Sequence, residues 1–497
     1  MDAVSRAIES LRRAPLGDPA YDDGPVLPGS VLPGSVLPGA DVLGADVPSQ
    51  GSPSAAAFRA AAVAASLGAF VELAAVADPG PGPGTGPLAG VPVAIKDVFD
   101  VAGQRVGNGT AGFGHRTADH DSAAWGRLRS AGAVLVGRTR LPELAWSVVT
   151  PGCRNPWSPD RGVGGSSGGS AVAVASGAAK VALGTDTGGS VRIPAALCGL
   201  AGLRPTVGTI SRLGVTPLAP TMDTVGPLAL TAADCLLVHQ ILAGPVLASP
   251  APGDAVLGDA VRCDAVRPDP AAAAGLRVGW PIGLWRDRVT PDVSSATEAA
   301  AAALRGDGVE VVTVELPLAT AYARAAAYVI ILAESAALWH GALSQHPAGL
   351  SQRTAELLRA GAAVPVPDYL RSLRVAHAIR REVDAVFHQQ RLAALLLPTV
   401  PTTAARLGAE SVEIAGRQVA VETAYAYLAA LASVTGLPAL SVPSGLDRQG
   451  LPAGAQLIGP GGTESVLCLL GTVIERSPGG RAVAMARDRL AARPAAG

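Results

Sequence analysis

The chain has 497 residues, a formal net charge of -1 and only 16% charged residues, which excludes a general electrostatic case for binding nucleic acid or an anionic membrane. Hydrophobic residues make up 49% and aromatics only 3%, so the apolar content comes from Ala, Val and Leu, as in a compact enzyme and unlike a disordered or fibrous chain. That length allows two or three ordinary domains or one large α/β unit.

Residues 1–13 carry Asp2 and Glu9 without an apolar h-region, so no secretory signal is expected. No run of about eighteen apolar residues suggests a membrane span. Residues 24–50 hold a repeat, Val26-Leu27-Pro28-Gly29-Ser30, which recurs at 31–35 and, ending in Ala40, at 36–40. Pro and Gly in every five residues exclude helix and central strand, so 1–54 is read as a poorly ordered segment containing a duplicated linker. Residues 55–77 suit a helix, and 79–87 break it with another Pro/Gly tract.

From Gly90 the texture changes. Residues 91–95 read as a strand delivering Lys96 and Asp97 to a loop, 122–131 as a helix with Asp121 as its N-cap, and 133–136 as a short buried strand. Further apolar runs without a polar face lie at 276–278, 309–314, 395–397 and 439–442, separated by helix-compatible stretches at 294–304, 319–338, 367–390 and 421–434. The alternation predicts an α/β fold: a large mixed, mostly parallel sheet covered by helices on both faces. Residues 55–476 are read as a single domain, with a core at 86–240, an aperiodic linker or insertion at 245–274 and a variable part at 300–460. Residues 477–497 are read as a marginally ordered tail.

Five cysteines, Cys153, Cys198, Cys235, Cys263 and Cys468, are scattered, odd in number and without a C-x-x-C pair. Neither a disulfide framework nor a zinc site is indicated, no cofactor is implied, and a reducing cytoplasm fits best.

The chemistry concentrates in two Ser/Gly loops. The first is Gly164-Gly165-Ser166-Ser167-Gly168-Gly169-Ser170, and the second is Thr185-Asp186-Thr187-Gly188-Gly189-Ser190-Val191-Arg192. A flexible linker has the same composition, but linkers are not followed by an apolar helix–strand unit. A helix from about 170 to 180 advances roughly 15 Å, and an extended return over 181–184 covers about 13 Å, which brings the two loops side by side. A serine nucleophile needs a proton acceptor and a group to receive charge from the attacked carbonyl. A turn through Gly188 and Gly189 can aim successive N–H groups at one point, and a helix starting near Ser190 would add its dipole, with Pro194 tolerated in the first turn.

Histidine is the default base, yet none of the seven lies in a Gly-rich turn or an H-E-x-x-H arrangement. A lysine base is the alternative. Lys96 and Lys180 are the candidates nearby, and Lys96 ends an apolar strand where burial favours its neutral form. Two further matches are decoys. Residues 164–168 satisfy G-x-S-x-G without a strand leading into an elbow, and residues 107–112 satisfy G-x-G-x-x-G without a following helix or acidic residue.

Taken together, the run from Gly86 to Asp97, the first Ser/Gly loop, the run from Asp186 to Ala195 and Cys198-Gly199 closely resemble the amidase signature family. Weaker echoes follow at 202–206, 222–227, 396–399 and 435–440, so the likeness spans roughly 86–460. The resemblance implies the amidase signature fold and a Ser-Ser-Lys triad: Ser190 as acyl-forming nucleophile, Ser166 as a relay serine beside a cis peptide, and Lys96 as base and later acid. It further implies oxyanion N–H groups from Thr187, Gly188 and Gly189, with Asp186 and Arg192 bracing the loop and Ser167 supporting the relay. No metal is implied.

The interval between Ser166 and Ser190 matches the family's spacing. The N-terminal helical segment common in the family is replaced here by the Pro/Gly repeat, and a homodimer is left open. The implied activity is hydrolysis of a small-molecule carboxylic amide to acid plus ammonia or amine. Alternatives are the glutamine-hydrolysing subunit of a tRNA-dependent amidotransferase and a urea-type amide hydrolase of the allophanate or biuret kind. Specificity is expected within 300–380 and 400–460, where apolar side chains favour an uncharged or aromatic substrate.

Overall fold

The structure, a computed structural model, describes residues 2–16, 55–74, 86–244, 269–342 and 349–491. The five-residue repeat, residues 75–85 and the linker over 245–268 lie outside the described residues.

Most of the strands in the N-terminal half belong to the region that carries the Ser/Gly loops: β1 (Phe70–Leu73), β2 (Pro92–Lys96), β3 (Arg105–Val106), β4 (Arg116–Thr117), β5 (Val134–Thr139), β6 (Val181–Asp186), β7 (Ala201–Arg204) and β8 (Thr224–Ala229). The remainder are β9 (Arg277–Trp280), β10 (Glu310–Thr313), β11 (Ala394–Pro398), β12 (Ser411–Ile414), β13 (Arg417–Ala420), β14 (Ala439–Leu446) and β15 (Pro452–Ile458). Eleven of them form one sheet in the order β1-β5-β2-β6-β8-β7-β14-β15-β11-β9-β10, while β3–β4 and β12–β13 are separate two-stranded ribbons. Helices cover both faces, so β6, β7, β8 and β11 are buried along their whole length and show no polar alternation.

The sheet is mixed, but the expectation that it is mostly parallel is corrected. Parallel pairing is confined to β5–β2–β6 and β11–β9–β10; the other neighbours run antiparallel. For one of these pairs the reason is a short connection. β14 and β15 are joined by a turn in which Asp447 accepts the N–H groups of Gln449 and Leu451 at 2.8 Å, and a loop that short leaves only the antiparallel solution. β7, β8 and β15 carry no strand signal strong enough to separate them from the glycine-rich loops around them.

Three further expectations change. The helix Ala123–Ser130 is capped by Ser122, whose hydroxyl accepts from Trp125 N–H at 3.3 Å, while Asp121 instead takes the N–H of Ala102. The described part of the expected tail is ordered: Pro478–Ala491 is a helix that buries Val483 and donates from Arg487 to the carbonyl of Gly199 at 2.9 Å. Nor is all of 1–54 poorly ordered, since Asp2–Arg12 forms a helix with Leu11 buried. Arg12 grips Asp368 at 2.6 and 2.9 Å, and Arg371 returns two bonds to the carbonyls of Leu11 and Arg12.

Among the described residues, Pro317–Leu338 is long and apolar enough to cross a membrane, yet half of its apolar window is buried inside the protein. It packs against the helices Gln352–Ala362, Val366–Gln390 and Val421–Thr435, and is a core helix.

The fold sets the site at the ends of two neighbouring parallel strands. β2 and β6 pair from Val93↔Val181 to Ile95↔Leu183, so Lys96 and the loop after Asp186 emerge on the same edge. The buried helix Gly168–Ala175, made only of Gly, Ser, Ala and Val, lies close against these strands and carries the first Ser/Gly loop to that edge.

Candidate active site

Lys96 closes β2 and is fully buried. Its Nζ donates to Ser166 Oγ at 2.6 Å and to Thr185 Oγ1 at 2.8 Å. Burial pushes the ammonium down to about 7, although Asp223 and Asp186 both favour its charged form. A neutral Nζ has a lone pair, so the short contact to Ser166 can carry a proton in either direction. The peptide bond between Gly165 and Ser166 is cis.

The two loops are stitched together by main chain. Ser167 N–H donates to the carbonyl of Ser190 at 3.1 Å, and Ser167 Oγ donates to the carbonyl of Thr185 at 3.4 Å. Gly184 lets the hydroxyl sit this close to β6, because a Cβ there would lie 2.5 Å from Ser167 Oγ. Ser190 itself is 6% exposed and stands one residue before the turn into the short helix Arg192–Leu197.

Asp186 is the anchor of the second loop. It is fully buried and accepts from Gly189 N–H (3.0 Å), Val191 N–H (3.1 Å) and both Nε and Nη2 of Arg192 (3.0 and 2.9 Å). Arg204 adds a second cation at 3.1 Å. Burial alone would raise the Asp186 carboxyl, but the charges and hydrogen bonds of Arg192 and Arg204 hold it well below the usual carboxylate range. Arg192 extends the network to the carbonyl of Ala429 (3.0 Å), to Ser433 Oγ (2.9 Å) and to Gln456. The nucleophile loop is thereby tied to the helix Val421–Thr435 and to β15.

One assignment is altered by these contacts. Gly189 N–H is committed to Asp186, so it is not free to receive charge from a substrate. Among the described residues, no acceptor meets the N–H of Thr187, Gly188 or Ser190. Gly189 is required for its backbone: its φ is +113°, and a Cβ would lie 2.5 Å from that of Ala429. A Cβ at Gly188, by contrast, would make an ordinary contact with Ile331 Cδ1 at 3.5 Å.

Thr187 is held through its side chain, which donates to Asp223 Oδ1 at 2.5 Å. Asp223 also takes the N–H groups of Leu218 and Ala219, and burial raises its carboxyl against these bonds. Thr185, Arg204 and Asp223 had no assigned role from sequence. Arg204 and Asp223 sit in the weaker echoes at 202–206 and 222–227, and Thr185 sits one residue before the aspartate; that proximity is the only signal that could have found them. Thr185→Val removes one acceptor from Lys96 Nζ and is expected to lower kcat about tenfold at unchanged KM, read by steady-state ammonia release.

The arrangement offers a buried lysine against a serine, a second serine on an anchored loop, and unpaired main-chain donors beside it. The Amidase family model matches residues 57–468. A glutamyl-tRNA(Gln) amidotransferase subunit from Roseiflexus castenholzii is 35% identical over 427 residues, covering 78% of this chain and 82% of its own. An amidase of Pseudomonas putida is 39% identical over 376 residues, covering 74% and 77%. The solved peptide amidase of Stenotrophomonas maltophilia superposes with a TM-score of 0.64 at 30% identity, covering 79% and 83%. The chain belongs to the amidase signature family and is an amide-hydrolysing enzyme.

Proposed function

We propose that the protein is a self-contained cytoplasmic amidohydrolase that works through an acyl-enzyme on Ser190. Neutral Lys96 takes the proton of Ser166 while Ser166 takes that of Ser190, and Ser190 Oγ attacks the amide carbon. The N–H groups of Thr187 and Gly188, with that of Ser190, receive the developing oxyanion; Gly189 shapes the turn instead. The proton returns through Ser166 to the leaving nitrogen, the C–N bond breaks, and ammonia or an amine departs. Water, deprotonated by the same relay, then cleaves the ester to free acid and Ser190. Asp186 and Arg192 hold the loop without touching the substrate, and Ser167 fixes the two loops in register.

The observation that carries this reading is the 2.6 Å contact of Lys96 Nζ with Ser166 Oγ, in a buried setting that lowers the lysine to about 7. Its test is pH dependence. Because the base must be neutral, kcat/KM should rise about tenfold per pH unit below 7 and level off above it. A profile flat from pH 5 to 8 would remove Lys96 from the mechanism, as would a Lys96→Ala protein that keeps most of its turnover.

A second reading, the glutamine-hydrolysing subunit of a tRNA-dependent amidotransferase, draws on the likeness to the Roseiflexus protein. A panel of aliphatic, aromatic and urea-type amides plus glutamine, assayed for ammonia, separates the two. Copurification of a partner protein together with activity on glutamine alone would favour the second, and the same purification reads whether the chain is a homodimer.

A further inference from the structure

Two helices border the nucleophile loop. Ile331, on Pro317–Leu338, lies beside Gly188, its Cδ1 3.5 Å from where a Cβ there would stand, and Ala429, on Val421–Thr435, packs against Gly189. Seven residues earlier on the first helix stands Arg324, on the face that also carries Tyr328 and Ile331, and the rise puts it roughly 10 Å from Ile331 along the axis. Arg324 Nη2 donates to Thr423 Oγ1 on the second helix at 3.0 Å, so the two helices are bridged at that point. Along the first helix, Ile331 stands between the bridge and the loop.

The charge at the far end of this span is unbalanced. Arg324 is half-buried, and burial lowers its guanidinium, with only the phenols of Tyr328 and Tyr427 acting in favour of the charge. Among the described residues no carboxylate pairs with it. Glu422, the acid one residue before Thr423, is already engaged by Ser147 Oγ, by Val148 N–H and by Arg353 at 2.9 Å. Arg353 and Arg324 both act on Tyr328, so cations outnumber acids around it. A partly desolvated guanidinium without an anion is costly, and its planar fork suits a carboxylate held by two parallel bonds.

We propose that Arg324 selects amides whose acyl part carries a carboxylate at its far end, the span being set by the roughly 10 Å helical rise between Arg324 and Ile331. For a primary amide the acyl chain is the part long enough to reach this residue. Ile331 meets the methylenes and the guanidinium takes the terminal anion, while the oxyanion groups fix the carbonyl. The substrate class is then an ω-carboxylated monoamide, in place of the uncharged or aromatic amide that the apolar composition of 300–380 and 400–460 suggests. This inference rests on the acyl-enzyme reading for the position of the carbonyl.

The test uses the full-length enzyme with suberic acid monoamide and octanamide, which share a chain length and differ by the carboxylate. The wild type should prefer the monoamide by at least about tenfold in kcat/KM, mainly through KM. Arg324→Gln should collapse that preference at least about thirtyfold, and Arg324→Lys should restore part of it, which a merely structural arginine would not show. Calorimetry on Ser190→Ala supplies a readout free of turnover: it should bind the monoamide more tightly than octanamide, and adding Arg324→Gln should abolish the difference. Equal binding of the two amides, or an Arg324→Gln protein that keeps the preference, overturns the carboxylate site. Normal turnover by Ser190→Ala would instead overturn the acyl-enzyme reading and leave the binding comparison standing.

Discussion

Ser190→Ala is expected to release ammonia at least about 10⁴-fold more slowly than the wild type from any amide the enzyme accepts, while folding to the same stability within about 1 kcal/mol. The stability expectation follows from the contacts. Position 190 is tied in by its carbonyl, which accepts from Ser167 N–H, and that bond survives the substitution. The loss of activity follows from the proposed mechanism, in which Ser190 Oγ is the atom that forms the covalent bond. Main-chain donors and bound substrate would still supply some acceleration over water, so the residual rate should be small and not zero. Lys96→Ala should fall by a similar factor, and the double variant should be scarcely worse than either single one, because in the proposed mechanism the three side chains act as one relay. A Ser190→Ala enzyme retaining more than a few per cent of wild-type turnover would reassign the nucleophile.

Much of this site was legible in the sequence because its parts are local. The short interval between the Ser/Gly loops, filled by one small-residue helix and one buried strand, dictates that they meet, and the apolar run before Lys96 dictates its burial. The main-chain geometry was not legible. Gly189 looks like a donor as long as Asp186 is only a loop residue; once Asp186 is seen to accept from Gly189, Val191 and Arg192, its N–H is spent. Arg204 and Asp223 reach the loop from β7 and from the turn before β8, and no local pattern announces a contact made across a sheet. The strand directions failed for a related reason, since apolar runs fix burial and not direction. Ser122 displaced Asp121 as cap because capping depends on which side chain faces the first turn, a difference of one residue that composition does not resolve.

Asp186→Ala should be the most damaging substitution for stability, at about 3–5 kcal/mol, because it removes the carboxylate that both buried arginines, Arg192 and Arg204, bond directly. It also strips the acceptor from the N–H groups of Gly189 and Val191, so the turn carrying Ser190 loses its shape along with its anchor. Asp186→Asn keeps the volume and one acceptor oxygen but not the charge, and should fall between wild type and Ala. Urea unfolding midpoints of the three proteins give the order directly, and a midpoint for Asp186→Ala equal to the wild type's would show that the loop is held by packing alone. The pH dependence separates this group from Lys96. A carboxyl held far down contributes stability that is fully present above its unfolded value near 4 and fades only in stronger acid, so Asp186 contributes throughout the working range. Lys96 acts in a different window: lowered to about 7, it binds fewer protons folded than unfolded between about 7 and 10.5, so its burial penalises the fold least at high pH. The buried thiols of Cys153, Cys198, Cys235 and Cys468, all pushed up by burial, work against this slope in alkali. The Lys96 contribution is therefore read as a difference: the stability of the wild type minus that of Lys96→Met should grow as pH rises from 7 toward 10.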